Sequence, residues 1–425
     1  PLDGAHALAK AMANKYGWLN LVPTPGFFGD TPPAMVGVST GPNADDSVQV
    51  PWGRIQIPGV DGYIQTGMTL KNGRPVFTIG GVVKRMHEGE VAELAAATRR
   101  IIESQSIYKA KAIRISFPAN PEAVENPDDF NPKFLDVSLT DENGLIFSEE
   151  VRRIINTNLF LPIERTAECR AHKIPLKRGV LLAGPYGVGK TLTAHIAAKK
   201  CVANGWTFIY LDSVKDLQQA IYFAQQYSPA MIFAEDIDQV LAGSNRDDAV
   251  NAILNTIDGV DTKSSELIVA LTTNHLDRIN QAMLRPGRLD AVVVVHAPDG
   301  PAVEKLVKMY GRGLVADEDL KEVGEKLAGK IPAVIREVVE RAKLGAIARV
   351  EIGGKLVVSA EDLIVAADTM LGHLELLMPK PEDTRSDIEK AADRLGGHLA
   401  PRGEASAEGA TNGKSSSRSN QPATV

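Results

Sequence analysis

The sequence predicts an α/β fold: a parallel sheet with helices on both faces, followed by a small helical module and preceded by a small α+β domain. Three observations carry this reading. Across residues 145–298, apolar runs of strand length alternate with segments of helical period, the order a parallel sheet with crossover helices requires. One such run, Gly179-Val180-Leu181-Leu182-Ala183, enters a glycine-rich octet, and a helical pattern follows at once. Residues 301–378 are then mostly helical in pattern.

Element by element, residues 2–16 read as a helix stopped by Gly17, and 21–47, dense in Pro, Gly, Thr and Asp, as a loop. Residues 1–44 are thus a helix and a loop. Strand patterns follow at 48–57, 62–70 and 74–83, the last two joined across Lys71-Asn72-Gly73, a hairpin signal. Residues 88–104 carry apolar side chains at helical spacing (Val91, Leu94, Ile101, Ile102), and 112–117 is a further strand. This order makes 45–120 an α+β domain. Pro118, Pro121, Pro127 and Pro132, set among acidic and Asn residues, mark 121–144 as a linker. The large α/β subdomain spans 145–300 and the helical module 301–378, with Ser359 and Asp362 placed as a capping box for its last helix. Residues 379–425, rich in Ser, Gly, Ala and Asn, cannot bury a core and are expected to be a disordered tail.

Composition narrows the class. The chain has 425 residues, 44% of them apolar, enough for several cores. Its 47 basic and 53 acidic side chains give a net charge of −6, which argues against a nucleic-acid-binding surface as the main feature. The two cysteines, Cys169 and Cys201, lack metal-ligand spacing and suggest a reducing, cytoplasmic setting. No apolar run reaches the roughly 18 residues of a membrane span, and no signal peptide is apparent, so no membrane insertion is expected.

Gly184-Pro185-Tyr186-Gly187-Val188-Gly189-Lys190-Thr191 fits G-x-x-x-x-G-K-[ST], between a strand and a helix that begins with Leu192. Glycines there let backbone N–H groups close around phosphates, and the helix N-terminus favours their charge. The pattern assigns Lys190 to the β- and γ-phosphates of ATP and Thr191 to Mg²⁺. Downstream, Met231-Ile232-Phe233-Ala234 is an apolar strand that ends in Glu235-Asp236, a Walker B arrangement with a metal-linked acid and a base for water. A third apolar strand, 267–271, ends in Thr272-Thr273-Asn274.

With the stretch from Thr272 to Asp290, TTNHLDRINQAMLRPGRLD, the sequence resembles the AAA ATPases and their second region of homology. The resemblance covers about 145–378. It implies a five-stranded parallel sheet, a helical lid and a homo-oligomeric ring, a hexamer or similar. By the same resemblance Asn274 is the sensor that orients the attacking water. Arg285 and Arg288 are arginine fingers that reach a neighbouring subunit's γ-phosphate. Ile146, within Leu145-Ile146-Phe147, and Ala328-Gly329 in the lid lie beside the adenine.

Two departures narrow the resemblance. The acids stand as Glu235-Asp236, where most relatives have Asp-Glu; by position Glu235 takes the Mg²⁺ side and Asp236 polarises water, with Asp236 also counted among the metal-side groups. The segment 212–229 is short and has no aromatic-x-Gly pore element; Tyr222, Phe223 and Tyr227 read as core. In both respects the chain is similar to the branch of the mitochondrial Rieske-protein translocase and chaperone, although without that branch's transmembrane helix. A ring that remodels or chaperones protein, with residues 1–120 recognising a client or adaptor, is the leading expectation. A nucleic-acid-associated ATPase is the alternative; its basic clusters are Lys84-Arg85, Arg99-Arg100, Lys109-Lys111 and Lys199-Lys200. A protease within the chain is not expected, since no H-E-x-x-H occurs.

Overall fold

Strands buried on both faces must be apolar at successive positions and need cover on each side. The runs at 178–183, 230–234 and 267–273 meet that condition, and the architecture is built around them. The structure is a computed structural model that describes residues 1–17, 20–26, 29–31, 34–71, 74–117, 132–238, 266–279, 289–351 and 354–377. Its contacts divide the chain into Pro1–Met370 and Leu371–Val425.

Helix α1 (Leu2–Tyr16) comes first, closed by Gly17 in the left-handed region. Short strands β1 (Asn20–Leu21), β2 (Thr24–Gly26) and β3 (Gly29–Thr31) precede β4 (Ala34–Ser39), β5 (Ser47–Trp52) and β6 (Arg54–Gln56). The hairpin β7 (Gly62–Lys71) and β8 (Arg74–Val83) leads to α2 (Glu88–Gln105), β9 (Ala112–Ile115) and β10 (Lys133–Phe134). A helical stretch follows as α3 (Glu149–Ile155), a π turn, α4 (Leu161–Glu164) and α5 (Thr166–Ala171). Then come β11 (Arg178–Ala183), α6 (Lys190–Ala203), β12 (Thr207–Leu211), α7 (Leu217–Gln226), β13 (Ala230–Ala234), β14 (Leu267–Thr273) and β15 (Ala291–Val294). Helices α8 (Gly300–Gly311), α9 (Lys321–Leu327), α10 (Pro332–Arg349) and α11 (Ala360–Leu377) complete the described chain.

The central sheet has seven strands in the order β10-β9-β12-β13-β14-β11-β15. All pairs are parallel except β10 with β9. The expected five strands lie within it, and β9 and β10 extend its edge. Side chains alternate between the faces, as a strand period of two demands. Leu181, Ile209, Ile232 and Val269 enter one core, under α7. Leu182, Phe208, Phe233 and Ala270 enter the other, under α6 and the 149–171 helices. Trp206 is fully buried there, its indole N–H donating to Thr166 Oγ1 at 2.7 Å. The last helices form a third core around Val303, Leu327, Val338 and Leu363. The anticipated capping box is present: Asp362 N donates to Ser359 Oγ at 3.2 Å and Ser359 N to Asp362 Oδ2 at 2.9 Å.

The N-terminal boundaries need correcting. Residues 34–39 are a strand, β4, paired antiparallel with β5, not loop. The expected strand at 48–57 breaks at Gly53, whose φ of 107° favours glycine, into β5 and β6. Strand β9, expected in the α+β domain, pairs with β12 of the central sheet, and Lys133–Phe134 of the expected linker pairs with β9. The physical reason is apolarity: Ile113 and Ile115 are buried in the core under α7, and Phe134 packs against that core. Helix α1 packs into the module that follows it. Ala7, Leu8, Ala11 and Met12 pack with Ile55, Ile64 and Leu94 of the small β1-β6-β7-β8 sheet and α2. Leu2 and Ala5 join the central-sheet core. Among the described residues, no helix is long and apolar enough to cross a membrane.

The junction is fixed by a buried carboxylate. Asp3, 4% exposed, accepts from Ser106 Oγ at 2.7 Å and from Ile107 N at 3.1 Å. Burial, helped by the charge of Asp3, pushes the Tyr227 phenol far up. Removing such an acceptor strands buried donors at about 1–3 kcal/mol. Asp3→Ala is therefore expected to lower the thermal unfolding midpoint; an unchanged midpoint would show that the junction holds nothing.

Candidate active site

In open parallel sheets, ligands bind beyond the carboxyl ends of the strands where strand order reverses. Here β11 lies between β14 and β15, and the chain next crosses to β12 on the far side of β14 and β13. The loop after β11 is the glycine-rich octet. Gly184 N donates to Thr273 O at 3.1 Å, and Val295 N donates to Ala183 O at 2.7 Å, so the loop leaves the sheet clamped between two neighbours. A Cβ on Gly184 would lie 2.3 Å from the Val295 carbonyl oxygen, so only glycine fits. Gly189, at φ 104°, turns the loop into α6.

Lys190 opens α6 and is 8% exposed. Its Nζ donates to Gly184 O at 2.6 Å, Pro185 O at 2.8 Å and Asn274 Oδ1 at 2.7 Å. Burial holds its ammonium below the usual lysine range, against the opposing pull of Asp236, Asp238 and Glu235. Tyr186 stands exposed at the loop tip, its ring centroid 5.9 Å from Lys190 Nζ, while Val188 is buried.

The two acids take different partners. Thr191 Oγ1 donates to Glu235 Oε1, and Tyr210 OH donates to Glu235 Oε2 at 2.5 Å. Asn274 Nδ2 donates to Asp236 Oδ1 at 2.8 Å, and Asp236 N donates to Thr272 Oγ1 at 3.0 Å. Asp236 adopts φ 52°, a left-handed conformation that Asp tolerates better than most residues.

The sequence-based list is thus largely brought together: Gly184 to Leu192, Glu235, Asp236 and Asn274 converge on one end of the sheet. Positions 145–147 reach it too. Phe147 Cε1 lies 3.3 Å and Leu145 Cδ1 3.8 Å from a Cβ built on Gly189, and Ile331 of the lid lies 3.5 Å from one on Gly187. Ile146 packs instead against the lid core. Ala328 ends α9, and Gly329, at φ 77°, donates to Pro298 O at 3.0 Å, at the entry to the lid. Arg285 and Arg288 lie outside the described residues.

Two residues without an assigned role belong to the arrangement. Asp238, 5% exposed, accepts from Thr273 Oγ1 at 3.0 Å and Asn274 N at 3.2 Å, which fixes the asparagine backbone. Tyr210 reaches Glu235 from β12. Its sequence signal is faint, a phenol on a mostly apolar strand. The core reading holds for Tyr227, which is buried, and for Phe223, which packs on it with ring centroids 4.7 Å apart; Tyr222 is half-buried and its hydroxyl accepts from Gln218 Nε2 at 3.4 Å.

A cradle that excludes a Cβ, a lysine at a helix N-terminus and a hydroxyl beside carboxylates fit a nucleoside triphosphate with Mg²⁺, which prefers oxygen ligands. These features define a P-loop nucleotide site. Residues 180–297 match the model of the ATPase family associated with various cellular activities (AAA). The chain is 34% identical over 191 residues, 40% of its length, to an "ATP-dependent zinc metalloprotease FtsH 1" of Petrotoga mobilis. It is 30% identical over 251 residues, 54% of its length, to a "Cell division cycle protein 48 homolog" of Archaeoglobus fulgidus. These stretches span only 29% and 34% of those relatives. Residues 180–297 therefore carry an ATPase domain of the AAA type.

Gly184→Ala tests the clamp. The added methyl meets backbone rather than a flexible side chain, so an overpacking cost of about 1–3 kcal/mol is expected, seen as a lower melting temperature and weaker nucleotide binding. Unchanged values for both would mean that the loop has slack the structure does not contain.

Proposed function

We propose that the chain hydrolyses ATP with Mg²⁺ in a homo-oligomeric ring, a hexamer or similar, and uses the cycle to remodel or chaperone protein. The observation that carries the reading is the convergence of Lys190, Thr191, Glu235, Asp236 and Asn274 beyond three neighbouring parallel strands. Lys190 would bind the β- and γ-phosphates, and the loop's N–H groups would orient them. Thr191 and Glu235, already hydrogen-bonded together, would hold the metal with the phosphates. Bound Mg²⁺ neutralises charge that develops on the transferring phosphoryl group. Asp236, whose Oδ1 accepts from Asn274 Nδ2 at 2.8 Å, would accept the proton of the attacking water, and Asn274 would orient that water. Leu145, Phe147 and Ile331 would exclude water around the nucleotide, with Ile146, Ala328 and Gly329 carrying the lid.

Arg285 and Arg288 are proposed to act on a neighbouring subunit's nucleotide, as the family resemblance implies. Residues 1–120 would engage a protein client or adaptor. The direct passage from β12 through a single 3₁₀ turn (Val214–Asp216) into α7 leaves no room there for an aromatic threading loop. That supports a client handled without threading; a cytoplasmic setting is part of the same proposal. Of the basic clusters, Lys199 and Lys200 are engaged by Glu142 and Glu164, which weighs against a nucleic-acid groove at that place.

Asp236→Asn is expected to retain ATP binding while turnover falls about 100-fold or more. ATP-bound Asp236→Asn should then retain specific host proteins through residues 1–120. If Asp236→Asn turns over normally while Glu235→Gln does not, the two acids have been given each other's roles. The ring has its own test. An Arg285→Ala/Arg288→Ala variant and Asp236→Asn, each inactive alone, should regain part of the activity when co-assembled, since some interfaces then combine an intact acid with intact arginines. No recovery in a verified mixed assembly removes action between subunits.

A further inference from the structure

Glu235 is held at both oxygens. Thr191 Oγ1 donates to one, and Tyr210 OH donates to the other at 2.5 Å. The tyrosine is itself fixed. It sits on β12, paired with Phe233 of β13, and the two rings lie 5.9 Å apart. On its other side the Arg114 guanidinium lies 5.3 Å from the ring centroid and is anchored by Asp212 Oδ1 at 2.5 Å from its Nε.

A carboxylate on the metal side of a phosphate site has several orientations open to it, of which few suit a bound cation. Groups that hydrogen-bond a metal-side carboxylate fix its orientation, and their loss typically lowers metal affinity by about 10–100-fold. We propose that Tyr210 is a positioning residue for Mg²⁺ uptake: it pins the second oxygen of Glu235 and so leaves the carboxylate oriented toward the Thr191 side of the site. The proposal rests on the ATPase reading above, and it adds a residue from β12 to the site.

The test is Tyr210→Phe, which keeps the ring, its contact with Phe233 and its place beneath Arg114 while removing only the hydroxyl. Mg²⁺ is titrated into the full chain with a fluorescent ATP analogue, and affinity for the same analogue is measured in EDTA. The expected result is a rise of about 10-fold in the Mg²⁺ concentration at half-maximal response, with affinity in EDTA unchanged. The same shift should appear in the Mg²⁺ dependence of turnover. An unshifted Mg²⁺ titration overturns the proposal. So does an equal loss of affinity with and without Mg²⁺, which would mark Tyr210 as structural. A wild-type chain that neither binds nor hydrolyses ATP removes the ATPase reading and this proposal together. A normal wild type beside an unshifted Tyr210→Phe removes only the role of the tyrosine.

Discussion

The register between β14 and its two neighbours is the constraint on which the site depends. Ala183 of β11 pairs with Thr273, whereas Ala234 of β13 pairs with Leu271. Strand β14 thus outruns β13 by two residues, and the acids leave β13 alongside Thr272 and Thr273. Both threonines are almost wholly buried, so each hydroxyl needs a partner. Thr272 accepts from Asp236 N and Thr273 donates to Asp238. The pair fastens the turn after β13 to the strand that carries Asn274. A one-residue slip would turn each threonine to the opposite face and free the turn.

That fastening gives the reversed order of acids a physical account. Left-handed backbone costs a non-glycine residue roughly 1–2 kcal/mol, and Asp236 adopts it because the hydrogen bond from its N–H to Thr272 and that from Asn274 to its carboxylate both require the bend. The bend sends consecutive side chains to separate partners, the longer one to Thr191 and Tyr210, the shorter one to Asn274. A short carboxylate suffices at the second position because the backbone itself turns toward the asparagine. Length is needed at the first position, where Glu235 must meet donors from both α6 and β12.

Much of this site was legible in the sequence because its parts are local. A strand, eight loop residues and a helix can be read from neighbours alone, as can two acids at the end of an apolar run. What was not legible depends on topology. Tyr210 meets an acid on the next strand, and Arg114 meets Asp212 from 98 positions away. Asp238 looks like one more acid in a charged turn until β14 is placed beside it. The edge strands β9 and β10 were assigned elsewhere for the same reason. Ile113 and Ile115 announce a buried strand, but only a partner strand decides which sheet buries it.

The placement of β9 bears on how the N-terminal module is joined to the nucleotide site. A flexible tether would let the two move independently. Instead α2 ends at Gln105, and β9 begins at Ala112 after a turn that contains buried Ile107 and Tyr108. Tyr108 packs against Phe134, Phe223 and Tyr227, with ring centroids 5.8, 6.1 and 5.8 Å away. Asp3 ties the start of α1 to the same turn. Strand β9 then runs beside β12, with Arg114 paired to Tyr210 in the ladder. Packed elements shift between discrete arrangements more readily than they stretch, and a continuous set of packed contacts joins α1 and α2 to the strand beside Tyr210. The linkage also works in reverse, since any coupling of binding free energies between two sites is reciprocal. A ligand of the module that favours one arrangement of this junction must then be favoured by the nucleotide state that shares it.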